Sequence, residues 1–112
     1  MSDPMPQVHI ESEIVRLSAR AEEITQALAK RAREAATADV AYKVAHAKAL
    51  LLADGPQYVR DAEATSVTAV EYGEKRGTEA LLMSAQEAGR NVRAQLDALR
   101  SINANHRALV SG

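Results

Sequence analysis

The sequence predicts an all-α protein, a long antiparallel two-helix hairpin of the coiled-coil type that self-associates. Residues spaced alternately four and three apart, from Ile10 to Leu52, are apolar with the exception of Arg31, which keeps one narrow face of a helix against a partner helix. Asp54-Gly55-Pro56 then interrupts the helical pattern, and a second helical pattern follows. We call this face the seam of the first helix: Ile10, Ile14, Leu17, Ala21, Ile24, Leu28, Arg31, Ala35, Ala38, Tyr42, Ala45, Ala49 and Leu52.

The elements form one predicted domain, residues 1–112. Residues 1–7 contain Pro4 and Pro6 and are expected to be an extended lead-in. The first helix is predicted at about residues 8–53, the bend at 54–56, and the second helix at about residues 57–108. Gly55 fits the left-handed position after a helix end, and Pro56 fits a first helical turn, where its missing N–H costs little.

The second helix has the weaker helical signal. Residues 65–70 are rich in Thr and Val, and each of Gly73 and Gly77 costs about 1 kcal/mol relative to alanine in a helix. If the turn is centred on Gly55, these glycines face the alanine-rich part of the first helix, residues 32–41. We therefore favour close helix packing as their role, with bending or partner contact as the alternative.

Composition excludes several classes. The 23 alanines, three tyrosines and absence of Phe and Trp make a thick core unlikely, because alanine buries little area. The absence of cysteine excludes disulfides and thiolate metal sites and suits a reducing compartment. With no apolar run near the roughly 20 residues of a membrane span, a cytoplasmic protein without a membrane partner is expected.

Several large apolar side chains lie off the seam, and one hairpin cannot bury them all. A row of such residues indicates a further interface, so we expect a homo-oligomer in which hairpins pack together. The candidate interface residues are Val44, Leu50, Leu51, Leu81 and Met83.

No catalytic constellation is present, and we expect no enzyme, cofactor or small-molecule substrate. His9, His46 and His106 lack metal-ligand spacing, so they are read as surface or seam-edge residues and no metal site is predicted.

Charge is unevenly distributed along the chain. Residues 54–87 are net acidic, whereas residues 88–112 and the middle of the first helix are net basic. Arg93, Arg100 and Arg107 recur every seven residues and so line one stripe of a helix. In a single hairpin a solvated face paired to nearby acids is the favoured interpretation. Repeated in an oligomer, these arginines with Lys43 and Lys48 are a candidate nucleic-acid-binding track.

Two stretches carry a resemblance to a known group. They are ATADVAYKVAHAKALL at residues 36–51 and LDALRSINAN at residues 96–105. They resemble small helical-hairpin proteins of actinobacterial phages, which are remotely similar to the UvsY-type phage recombination mediator. The resemblance implies a non-enzymatic oligomer in the host cytoplasm that binds single-stranded DNA and helps to load a recombinase. The alternative from the residues is a structural or adaptor coiled coil that binds another protein, such as a phage assembly or host-takeover factor.

Overall fold

The chain is all-helical in a computed structural model that describes residues 6–111. Helix α1 spans Gln7–Leu52, α2 spans Gln57–Val67 and α3 spans Ala69–Ser111. The predicted all-α class is confirmed. The expected extended lead-in at residues 1–7 lies mostly outside the described residues, and Gln7 already belongs to α1. None of the described helices has the length and apolar character needed to cross a membrane.

The bend between α1 and α2 lies where the sequence predicts it. Gly55 has a φ of +104°, a conformation that only glycine adopts without strain. Pro56 is the N-cap residue of α2, and its carbonyl accepts the N–H groups of Val59 and Arg60. The Arg60 Nη2 atom donates to the Leu50 carbonyl at 2.8 Å. That bond satisfies one of the last carbonyls of α1, which have no partner inside the helix.

The predicted second helix is divided in two, because Thr68 interrupts it. The backbone of Thr68 has φ −103° and ψ 20°, and its N–H donates to the Ala64 carbonyl at 3.1 Å. Its hydroxyl donates to that carbonyl as well, at 2.6 Å. A β-branched residue whose hydroxyl competes for a helix carbonyl favours such a break. A single helix over about residues 57–108 was therefore too simple a prediction.

The chain divides into two compact units. Unit 1 combines residues 1–27 with residues 85–112, and unit 2 is Leu28–Ser84. In unit 1 the interior is aliphatic, and its buried residues come from α1 and α3: Ile10, Leu17, Ile24, Val92 and Leu96. Glu11 and Arg107 pair across the two helices at 3.3 Å, so within this unit they run antiparallel.

In unit 2 the interior is made of small residues. Its buried members are Ala35, Ala38, Ala53, Ala64 and Thr68. Ala53 occupies the buried place that the seam pattern predicted for Leu52, which is instead 84% exposed at the end of α1. Small side chains remove little apolar area from water, so unit 2 gains less from its interior than unit 1 does.

The helix pairing in unit 2 is antiparallel and displaced from the expected register. Asp39 approaches Lys75 at 3.8 Å, and the ring centroids of Tyr42 and Tyr72 lie 5.5 Å apart. A bend centred on Gly55 would have set Asp39 near Glu71, one helical turn earlier. A turn between helices also shifts one helix along the other, and this shift does not follow from the position of the glycine alone.

One face of α2 and α3 forms a matching seam, with alternating spacings of four and three. It contains the covered residues Ala64, Thr68, Glu71, Lys75, Thr78, Leu82, Ala85, Gly89, Val92, Leu96, Leu99, Asn103 and His106. The seam is apolar in unit 1 up to Leu99 but polar in unit 2, where Glu71 and Lys75 occupy it.

Gly73 and Gly77 lie off this seam, and the close-packing interpretation is wrong for both. Each is exposed, and a Cβ built on either residue would have no atom within 4 Å beyond its own helix and neighbours. The covered residues of α3 show which of its positions belong to the seam. On that assignment, both glycines lie on the outer surface of unit 2.

Candidate nucleic-acid interface

Three arginines flank the seam of α3 in unit 1. Arg93, Arg100 and Arg107 are exposed and recur every seven residues, each next to a seam position. We call this row the arginine edge. The Nη2 atom of Arg107 donates to Glu11 Oε1 at 3.3 Å across the helix pair, which fixes the register of the edge against α1.

That register leaves Arg93 and Arg100 opposite uncharged residues. Stepping along α1 from Glu11 and back along α3 from Arg107 sets Ser18 level with Arg100, and Thr25 level with Arg93. The Thr25 hydroxyl donates to the Ala21 carbonyl of its own helix at 2.9 Å. Neither position of α1 supplies a carboxylate to the edge.

No ion pair within 4 Å joins Arg93 or Arg100 to another residue in the described part of the chain. Asp97 is the nearby acid on α3, and it makes no such pair there either. The contrast with other arginines is clear, since most of them bind an acid one turn away on their own helix. These pairs are Arg16–Glu13, Arg20–Glu23, Arg31–Glu34, Arg76–Glu79 and Arg90–Glu87.

The two lysines predicted for the track lie in unit 2 and differ in their surroundings. Lys43 pairs with Asp39 at 2.9 Å. A hydrogen bond from Lys43, with the charges of Lys43 and Lys75, lowers the pKa of the Asp39 carboxyl below its ordinary value. Lys48 is exposed, with no ion pair among the described residues. Lys43 is therefore already neutralised, whereas Lys48 keeps an unopposed charge.

Lys75 completes this acid–base cluster inside the seam of unit 2. Its Nζ lies 2.7 Å from Glu79 Oε1, and its side chain is 21% exposed. The hydrogen bond to Glu79 is the largest cause that raises the pKa of Lys75. Its seam position follows from the heptad spacing of α3, because Lys75 lies seven residues before Leu82.

Two of the three tyrosines meet beside the helix break. The Tyr42 and Tyr72 rings are edge to face at 60°, and the His46 ring lies 5.6 Å from Tyr42. A cavity of about 170 Å³ is lined there by Tyr42, Thr65, Thr68, Ala69 and Tyr72. Tyr58 is 76% exposed and stands apart from this cluster. Aromatic faces at a surface provide stacking platforms for bases.

The predicted interface residues are exposed, but they do not share one face. Val44, Leu51, Leu81 and Met83 all retain large exposed areas, and Leu50 is half-buried. Leu81 and Met83 are two residues apart on a helix, so their side chains point about 160° apart around its axis. Leu81 lines a groove of about 660 Å³ on one side of unit 2. Met83 lies away from that groove.

The groove contains residues that sequence reasoning had not singled out as a site. It is lined by Lys30, Arg33, Glu34, Thr37, Ala38, Ala41, Glu74, Gly77, Thr78 and Leu81. The heptad spacing of α3 indicates this groove in the sequence, because it places Gly77 outside the seam.

Among the described residues, no group of three His, Asp or Glu side chains is placed to hold a metal ion. His9 is exposed, and His46 and His106 are half-buried. The buried Glu71 Oε2 atom has no hydrogen-bond partner, and it sits on the polar part of the seam.

No protein-family model, curated protein or solved structure matches this chain.

Proposed function

We propose that this chain is a non-enzymatic, homo-oligomeric accessory protein that binds single-stranded DNA along the arginine edge. The observation that supports this most is the state of Arg93 and Arg100. Both are exposed, both face uncharged residues of α1, and neither is paired with an acid of the described chain. A guanidinium in this state binds phosphate without first breaking an internal ion pair.

Binding of this kind is sequence-tolerant and strongly dependent on salt. Phosphate contacts position a protein on nucleic acid but carry no base information. Within unit 2, the rings of Tyr42 and Tyr72 are aromatic groups of the type on which unpaired bases stack. Because Arg93 and Arg100 are only two charges, one copy binds weakly, and an oligomer that repeats the edge binds more tightly.

The exposed apolar residues and the small interior of unit 2 support the proposed self-association. An interior of four alanines and one threonine supplies little burial energy, while Val44 and Leu81 remain about half exposed. A second copy that covers such residues removes apolar area from water. In an oligomer the arginine edges are also repeated, which links assembly to DNA affinity.

A direct test is a titration of an unstructured oligonucleotide with the full-length protein at two salt concentrations. The proposal predicts weak binding at low salt that falls steeply as salt rises. The mass in solution is measured in the same buffers. An intact oligomer that shows no binding at low salt contradicts the proposal.

The second candidate is a structural or adaptor module that binds another protein. The exposed aliphatic residues at the bend, Leu51 and Leu52, favour it, since both are more than 80% exposed. This candidate predicts an oligomer without DNA affinity at any salt concentration. For the first candidate, the DNA-binding accessory protein, the resemblance to phage hairpin proteins suggests a recombinase as a further partner. A recombinase that loads onto DNA no faster with this protein present opposes the mediator role.

A further inference from the structure

The groove of unit 2 combines a small floor with charges at its sides. Gly77 and Ala41 are exposed there, and a Cβ on Gly77 would contact nothing. Leu81 is 46% exposed beside them. Arg33 and Glu74 are both exposed, and neither forms an ion pair with another described residue.

Arg33 and Glu74 cannot pair within one chain. The contacts Asp39–Lys75 and Tyr42–Tyr72 set the register, and extending it places Glu74 level with Val40 and Arg33 level with Leu81. Arg33 and Glu74 are therefore separated by about 10 Å along the helix axis at about 1.5 Å per residue. The two charges are complementary, but they lie at different levels of the groove.

The same register sets Thr37 level with Gly77, midway between those charges. A two-fold axis through this point, perpendicular to the helices, places Arg33 of one copy at the level of Glu74 in the other, and the reverse. Small residues at the axis allow two helix pairs to approach closely, as in tightly packed helix interfaces. Such a contact is isologous and closed, so it ends at two copies.

We propose that this groove is where a second copy of the chain docks, antiparallel to the first, with two Arg33–Glu74 ion pairs across a two-fold axis near Gly77. The inference deepens the proposed self-association by naming its surface. The occupant is a second copy because two charges of the groove, Arg33 and Glu74, match under a two-fold rotation. Unit 2 also lacks a large buried side chain of its own, and the docked copy covers Leu81.

The test is a charge exchange read by sedimentation equilibrium over a range of protein concentrations. Arg33→Glu and Glu74→Arg each set like charges against each other, and each should raise the dissociation constant of the dimer about tenfold. The double variant restores opposite charges and should return the constant to near the parent value. Arg76→Glu, a charge reversal on α3 outside the groove, is the matched control and should leave association unchanged.

Gly77→Leu provides a second, uncharged test. The added side chain fills the groove, while the open space around Gly77 and the helix propensity of leucine allow the single chain to fold normally. Helicity by circular dichroism should be kept, and association should be lost. A double charge variant that remains dissociated, or a Gly77→Leu protein that dimerises like the parent, overturns the inference.

The outcome is separable from that of the DNA-binding proposal. Loss of dimer mass in the groove variants reports on the groove, whereas DNA binding by a dimer of normal mass reports on the arginine edge. A parent protein that is monomeric at all concentrations overturns the groove inference and leaves weak DNA binding by single chains to be measured on its own.

Discussion

Leu96→Ala is expected to be among the most destabilising single truncations in unit 1. Leu96 is 6% exposed in the aliphatic interior. Truncation to alanine removes three carbons at about 0.8 kcal/mol each, and a cavity between two helices collapses in part. We expect a loss of about 2–3 kcal/mol in the free energy of unfolding, which corresponds to a fall of roughly 10 °C in the melting temperature for a chain of this size.

Leu109→Ala is the matched control, since Leu109 lies on the same helix of the same unit but is 83% exposed. Its loss should be below about 0.5 kcal/mol. Urea unfolding followed by circular dichroism measures both variants, at one fixed protein concentration because association shifts apparent stability. Equal losses for the two variants would refute the seam of α3 as we have assigned it.

Two further expectations concern the bend and the acid–base cluster. Gly55→Val should lower the free energy of unfolding by about 1–2 kcal/mol because valine is strained at positive φ, whereas Gly73→Ala should be neutral or stabilising by up to about 1 kcal/mol; equal melting temperatures for the two would place the strain elsewhere. The lowered pKa of Asp39 contributes stability above the ordinary aspartate pKa that is lost as pH falls through the lowered value. Asp39→Asn should remove that part of the acid sensitivity, and an unchanged pH profile of melting temperature would count against the Lys43–Asp39–Lys75 cluster.

The buried face of α1 could be predicted from the sequence because its helical pattern is long, unbroken and free of glycine and proline. The positions Ile10, Leu17 and Ile24 predicted for its seam are all buried. The positive φ of Gly55 was equally predictable, because a glycine that follows the end of a helix and precedes a proline commonly adopts the left-handed conformation.

The break at Thr68 and the register were harder to predict. Weak helix propensity at residues 65–70 was visible, but propensity alone does not say whether a helix bends, breaks or continues. Register depends on how the turn shifts one helix along the other. The prediction that Gly73 and Gly77 lie in the interior was wrong because the expected register was displaced by one helical turn. The heptad positions counted back from Leu82 place neither glycine on the covered face of α3.

The sequence predicted which charged residues belong to the candidate site, but it did not predict which residues they pair with. Spacing alone placed Arg93, Arg100 and Arg107 on one stripe. That Arg107 meets Glu11, whereas the other two face Ser18 and Thr25, depends on the pairing of distant segments. Likewise, the pairing of Lys43 with Asp39 is a local contact that spacing allows but does not require.

DNA binding along the arginine edge is tested by the salt dependence of single-stranded DNA binding for three proteins. These are the parent, the double variant Arg93→Gln with Arg100→Gln, and the control double variant Arg16→Gln with Arg20→Gln. Both variants lose the same charge from unit 1, but the control arginines are paired with acids of their own helix. If Arg93 and Arg100 each contact a phosphate, the edge variant lowers the slope of log K against log salt by about 1.4, at about 0.7 per phosphate contact, while the control keeps the parent slope. Equal slopes for the edge variant and the parent, or equal changes in both variants, would contradict DNA binding along this edge.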